Sequence, residues 1–272
     1  MIGIIGGSGV KVSDLLADPI EQTTVTPWGE ATVWRGHFAG QRVLFLPRHG
    51  PGHKVAPHAI NYRANIAALW HAGARQVIAT AAVGSVNSAA PPGSFVICDQ
   101  FIDFTVGRQS TFFGPPVPPA PDDSWDLLLA RCAEVVHTDF TEPYCPNLRY
   151  HLIQAATELQ LPHLQAGCYV CTEGPRYETP AEIRIFRRWE ADVVGMTGVP
   201  EVALARELGL CYATVALVTN MAAGLQGQHL AHTDVVALMR QRGQALQDLL
   251  KNALGRCRKG AGPGCNCRGE RS

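Results

Sequence analysis

The sequence predicts an α/β fold, a single domain with a central mixed, largely parallel sheet flanked by helices. Two observations carry this. Apolar runs of strand length alternate with longer segments whose apolar residues recur at helical spacing. The chain has 272 residues, 46% hydrophobic and 17% charged, which is enough apolar material for one sizeable core.

Taken in order, residues 2–5, 42–46, 76–82, 95–98, 193–196 and 212–218 read as buried strands. Residues 166–171 read the same way. Residues 62–71, 148–159, 180–189, 201–208 and 234–254 read as helices. The last carries Val235, Val236, Met239, Leu246, Leu249, Leu250 and Ala253 on one stripe, with Thr233 placed to cap its start. Residues 114–123 hold five prolines and read as an ordered surface loop at a subunit contact. The domain spans residues 1–254, and residues 255–272 read as a flexible tail.

Charge and cysteines exclude several classes. Lys plus Arg and Asp plus Glu both number 23, so no broad basic field exists for nucleic acid. No apolar run approaches the roughly 18–20 residues of a membrane span, and the start lacks a basic leader, so a cytoplasmic protein is expected. The nine scattered cysteines fit reduced thiols. Cys168 and Cys171 form a CxxC inside an apparent strand and are given no redox or metal role. The tail pair Cys265 and Cys267 has no assigned role, and no metal site is expected.

Six stretches at strand ends carry candidate chemistry. Gly6-Gly7-Ser8-Gly9 lets backbone and a hydroxyl approach an anion, although a tight turn explains it equally well. It lacks the third glycine of a dinucleotide fingerprint and the lysine of a P-loop. Arg48 and His49, in Pro47-Arg48-His49-Gly50, suit anion binding, against a surface ion pair. His49, His53 and His58 cannot share a helix face across Gly50, Pro51 and Gly52, which argues against a metal. Thr80 to Ser85 leaves room for a flat ligand or for close helix packing. Tyr177 and Glu178, in Gly174-Pro175-Arg176-Tyr177-Glu178-Thr179, offer an aromatic face beside a carboxylate. Gly195-Met196-Thr197 and Thr219-Asn220-Met221-Ala222-Ala223-Gly224 complete the set. Ligands of open α/β sheets gather at the carboxyl ends of strands, and all six stretches are expected there.

Together with Asn61–Asn65, Asp99–Asp103, Glu142-Pro143-Tyr144-Cys145-Pro146 and the run Gly195-Met196-Thr197-Gly198-Val199-Pro200-Glu201, these motifs resemble the trimeric purine nucleoside phosphorylase and methylthioadenosine phosphorylase family. The resemblance covers essentially the whole domain. It implies attack of inorganic phosphate on C1′ of a nucleoside, with no metal or organic cofactor, in a homotrimer. By motif, Ser8, Arg48, His49 and Thr197 would bind phosphate, with the Ala81 backbone N–H. Met196 would lie against the ribose. Ala82, Val83, Gly84 and Tyr177 would form the purine slot. His137 would reach a neighbouring subunit's 5′ pocket.

Departures within the family suggest the substrate. Methylthioadenosine phosphorylases have Asp-x-Asp where this chain has Asn220-Met221-Ala222, and a small polar residue where it has Glu178. A 6-oxopurine presents an acceptor at O6 and a donor at N1–H, which an amide and a carboxylate would pair. Thr233 and Val236 stand where a 5′-hydroxyl reader would carry histidine, although His232 leaves room for a one-residue slip. The resulting expectation is phosphorolysis of S-methyl-5′-thioinosine, with Asn220, Glu178 and His49 catalytic. Inosine/guanosine or methylthioadenosine phosphorolysis, or a non-catalytic nucleoside-binding module, are the alternatives.

Overall fold

The apolar runs become the centre of the sheet because Ile4, Ile5, Leu44, Phe45, Val77, Ile78 and Ala213 have no exposed surface to speak of. The structure, a computed structural model, describes residues 1–226, 231–259 and 262–267. In chain order its elements are β1 (Ile2–Gly6), α1 (Val12–Leu15), β2 (Ala17–Thr26), β3 (Gly29–Phe38), β4 (Gln41–Pro47), α2 (Tyr62–His71), β5 (Gln76–Ser85), β6 (Phe95–Ile97), β7 (Gln100–Phe104), α3 (Asp126–Cys132), α4 (Pro146–Glu158), β8 (His163–Leu164), β9 (Cys168–Thr172), α5 (Pro180–Arg188), β10 (Val193–Gly195), α6 (Glu201–Glu207), β11 (Cys211–Met221) and α7 (His232–Lys259).

All strands join one mixed sheet, in the order β2-β3-β4-β1-β5-β10-β9-β7, with β11 also on β5, and β6 and β8 beyond it. The β1/β4, β1/β5, β5/β11, β9/β10, β7/β9 and β6/β8 pairs are parallel. The β2/β3, β3/β4, β5/β10 and β6/β11 pairs are antiparallel. This bears out the single mixed, largely parallel sheet. The β2–β3 hairpin escaped the sequence reading because nearly all of β2 is exposed, so no apolar run marks it.

Helices cover both sides. One core packs Ile66 and Leu69 of α2 with Leu204 of α6; the other packs Leu148 and Leu152 of α4 with Leu249 and Leu250 of α7. Local signals set their starts. Asn61 accepts from the Ala64 N–H at the head of α2, Pro146 opens α4, and Thr179 with Glu182 forms a capping box on α5.

The C-terminal helix requires three corrections. It begins at His232, so Thr233 lies inside it rather than capping it. Val235, Met239, Leu246, Leu249, Leu250 and Ala253 are buried, but Val236 is 41% exposed: the stripe advances by three or four residues and Val236 falls beside it. The helix also passes the expected boundary at 254. Arg256 pairs with Glu158, and Cys257 packs partly against the core. Beyond it, Asn147 Nδ2 donates to Pro263 O at 2.8 Å and Cys267 is buried, so this part of the expected flexible tail lies against the domain. The surface loop read at 114–123 contains no helix or strand over residues 114–122.

Candidate active site

The site starts as a gap in the sheet. β1 pairs with β5 only from Gln76 to Ala79, and β10 takes the same edge only at Gly84 and Ser85. Thr80–Val83 are left between them without a strand on that edge, while β11 runs along the other. A cavity of about 420 Å³ opens there. Of the residues singled out in the sequence, it is lined by Ser8, Arg48, His49, Ala81, Ala82, Val83, Gly84, Tyr177, Glu178, Met196, Thr197, Asn220 and Ala222. They come from separate strand ends and the loops that follow them.

One end holds the groups suited to an anion. The Gly7 N–H donates to Thr80 Oγ1 at 3.0 Å, and that hydroxyl donates to Ile5 O at 3.2 Å, which pins the turn after β1 to β5. A Cβ on Gly7 would stand 2.7 Å from Thr80 O and 2.9 Å from an Arg48 nitrogen, so only glycine fits. Arg48, 2% exposed, donates through Nε and Nη2 to the two Glu201 oxygens, each at 2.7 Å, and through Nη1 to Thr80 O at 2.9 Å. Tyr212 donates to the same carboxylate at 2.6 Å. Three of the five guanidinium hydrogens are thereby used, leaving two for a ligand. Burial opposes the Arg48 charge, but the Glu201 carboxylate outweighs it and raises the pKa above the ordinary value.

His49 Nδ1 lies 2.8 Å from Val55 O, a pure acceptor, so this nitrogen carries the proton. Burial, then the Arg48 charge, lower its pKa to about 4. The neutral ring therefore keeps a lone pair on Nε2. Ser8 Oγ and His53 Nε2 are 3.3 Å apart, and Thr197, also in the lining, is positioned by its N–H to Tyr169 OH at 3.3 Å.

The other end is mostly apolar, with an amide and a carboxylate. The β5/β11 register slips between Val218 and Asn220, and this bulge brings Asn220 opposite Gly84. A Cβ on Gly84 would stand 3.2 Å from Asn220 Nδ2, so glycine leaves the amide its place. Asn220 Nδ2 donates to Met221 O at 3.0 Å and Oδ1 faces the Thr219 hydroxyl at 2.9 Å, which fixes the amide with one N–H to spare. Glu178 is 8% exposed and accepts from Thr172 Oγ1 at 2.7 Å. Burial raises its pKa, and the Thr172 hydrogen bond works against that shift. Tyr177 and Glu178 are held by the turn into α5, where Arg176 makes a 2.7 Å ion pair with Glu182.

At the third corner the expected placement shifts by one residue. His232 and Val235 line the cavity, whereas Thr233 and Val236 are not among its lining residues. Because α7 already starts at His232, its inward stripe begins one position earlier than the capping reading assumed. His137 is exposed and lies outside this cavity. Sequence reasoning missed Glu201 and Thr172 as positioning residues. Glu201 ended a quoted motif, but nothing in the sequence showed that it would be 1% exposed against Arg48.

The site thus joins donors suited to an anion to a largely apolar slot carrying an amide and a carboxylate. A sequence profile described as phosphorylase superfamily matches residues 1–255, and the chain belongs to that superfamily. Its relatives narrow this to the purine nucleoside phosphorylases. The chain is 50% identical over 254 residues to a 6-oxopurine nucleoside phosphorylase of Pyrococcus furiosus, covering 93% of this chain and 91% of the relative. It is 43% identical over 258 residues to a probable S-methyl-5′-thioinosine phosphorylase of Methanothermobacter thermautotrophicus, covering 93% and 83%. Among solved structures, methylthioadenosine phosphorylase from Schistosoma mansoni in complex with adenine superposes with a TM-score of 0.85 at 33% identity, covering 95% of this chain and 92% of that one. Among the described residues no helix is long and apolar enough to cross a membrane.

Proposed function

We propose that the protein is a phosphate-dependent pentosyltransferase acting on 6-oxopurine nucleosides, with inosine and guanosine as its substrates. The observation that carries this is the pairing of an Asn220 amide N–H with a buried Glu178 carboxylate in one slot. A 6-oxopurine offers O6 and N7 to the amide and N1–H to the carboxylate. A 6-aminopurine would set its N1 lone pair against Glu178 and its amino group against the amide, and such buried mispairing is costly.

In the reaction, a phosphate oxygen forms a bond to C1′ as the C1′–N9 bond breaks. The electron pair leaves with the purine, which then takes a proton from solvent. Arg48, Ser8 and Thr197 hold the phosphate, and neutral His49 accepts a hydrogen bond from it through Nε2. Asn220 donates to the base as its negative charge grows, a contribution made mainly in the transition state. Phosphate is the co-substrate, and no metal or organic cofactor takes part.

The 5′ end decides between two readings. His232 supplies a polar partner for a 5′-hydroxyl, which favours ribonucleosides. Val235 and Met196 supply apolar wall, and together with the thioinosine-type relative they favour S-methyl-5′-thioinosine as the second reading. We further propose a cytoplasmic homotrimer in which His137, beside exposed Val135 and Val136, reaches a neighbouring subunit's site.

Comparing kcat/KM for inosine, guanosine, S-methyl-5′-thioinosine and methylthioadenosine, with and without phosphate, tests all of this. Inosine and guanosine should lead, and base should appear only with phosphate. A lead for methylthioadenosine would overturn the base assignment; a lead for methylthioinosine would overturn the sugar assignment. Base release without phosphate would mean a hydrolase, and no release at all a binding module.

A further inference from the structure

At the opposite end of the sheet from the cavity, four cysteines converge. Cys145 sits at the head of α4, Cys211 is the first residue of β11, and Cys265 and Cys267 belong to the segment after α7. Their sulfurs all lie within 4.8 Å of one another, and the Cys211 and Cys265 sulfurs are 3.6 Å apart. Zn–S bonds of about 2.3 Å give a tetrahedral S···S edge of roughly 3.8 Å. Three of the four side chains are buried and Cys265 is exposed.

The supports of the cluster are ordered by contacts that do not involve sulfur. The Cys145 N–H donates to Tyr212 O at 2.8 Å, which docks the head of α4 on the start of β11. Asn147 Nδ2 holds Pro263 O at 2.8 Å, which lays the C-terminal segment over that junction.

We propose that Cys145, Cys211, Cys265 and Cys267 form a structural Zn2+ site that fastens the C-terminal segment to the base of the sheet. All four ligands are protein thiolates, so no position is open for substrate, as in structural rather than catalytic zinc sites. Asn220 lies nine residue steps along β11 from Cys211, roughly 30 Å at strand rise, so the ion takes no part in phosphorolysis. Binding replaces four thiol protons by one metal ion and changes no oxidation state.

The test is metal analysis of the full chain purified with a thiol reductant and without added metal. About one zinc per chain is expected, released in step with mercurial titration of the thiols. Cobalt exchanged for zinc should give the visible absorption of a tetrahedral thiolate site. The Cys265→Ser/Cys267→Ser double variant should lose the zinc and melt at lower temperature while keeping its kcat/KM for inosine. Zinc-free protein with four alkylatable thiols, or a mass showing these cysteines joined as disulfides, would overturn the site. Iron at one per chain would overturn the assignment to zinc.

Discussion

Glu201→Gln is the substitution whose cost the structure defines most sharply. Both oxygens of this carboxylate are engaged, by Arg48 Nε and Nη2 at 2.7 Å each and by Tyr212 OH at 2.6 Å. Glu201 is 1% and Arg48 2% exposed, so water cannot replace what is lost. Removing one partner of a buried ion pair typically costs 3–5 kcal/mol, because the remaining charge stays buried. Glutamine keeps one acceptor oxygen, which places the expected loss at the lower end, about 3 kcal/mol. For a chain of this length that is a melting-temperature drop of roughly 6 °C. A second consequence follows from charge. In the variant, a phosphate ion would take over as counter-anion of Arg48. Saturating phosphate should therefore stabilise Glu201→Gln more than the unaltered protein, by mass action on the folded state. Denaturant titration at several phosphate concentrations reads both effects. A loss under about 1 kcal/mol, or identical phosphate stabilisation in both proteins, would refute the role given to this pair.

Other outcomes follow from the same geometry. Asn220→Ala should lower kcat for inosine by roughly 10²–10³, the usual cost of one donor to developing negative charge; a loss confined to KM would show that the amide only binds. His232→Val should raise KM for inosine and leave S-methyl-5′-thioinosine unaffected, as steady-state kinetics on both would reveal. Folding should also weaken in mild acid. His49 is held at about 4 in the fold against an ordinary 6.5, so between these values the unfolded chain binds a proton that the folded chain does not. Its contribution is complete above about 6.5 and is lost as the pH falls through that window. His49→Asn should flatten this part of the stability–pH curve; an unchanged slope would assign it to other groups.

The legible parts of the protein are those written in contiguous residues. The buried strands are apolar runs, α5 falls on the segment 180–189 read as a helix, and the motif ends fall at strand ends as a parallel sheet requires. Edge strands were missed because β2 is exposed along most of its length. The helix stripe was misjudged by one residue at its head, where a Thr capping signal competed with His232. That single step moved the cavity-lining side chains from Thr233 and Val236 to His232 and Val235.

The sequence by itself determined the sheet's central strands, the family motifs and the presence of an amide and a carboxylate among the candidate site residues, since each is a matter of residue type along a local pattern. Tertiary structure alone decided the rest. Arg48 meets Glu201 across 153 positions, and Cys145 and Cys211 meet the C-terminal pair, through chain crossings that no local spacing encodes. The gap in the sheet at Thr80–Val83 likewise exists only because β1 stops where it does and β10 joins later. Burial at such crossings turns ordinary side chains into an anchored cation, a neutral histidine and a four-thiol cluster, because only there is water removed and the partner set complete.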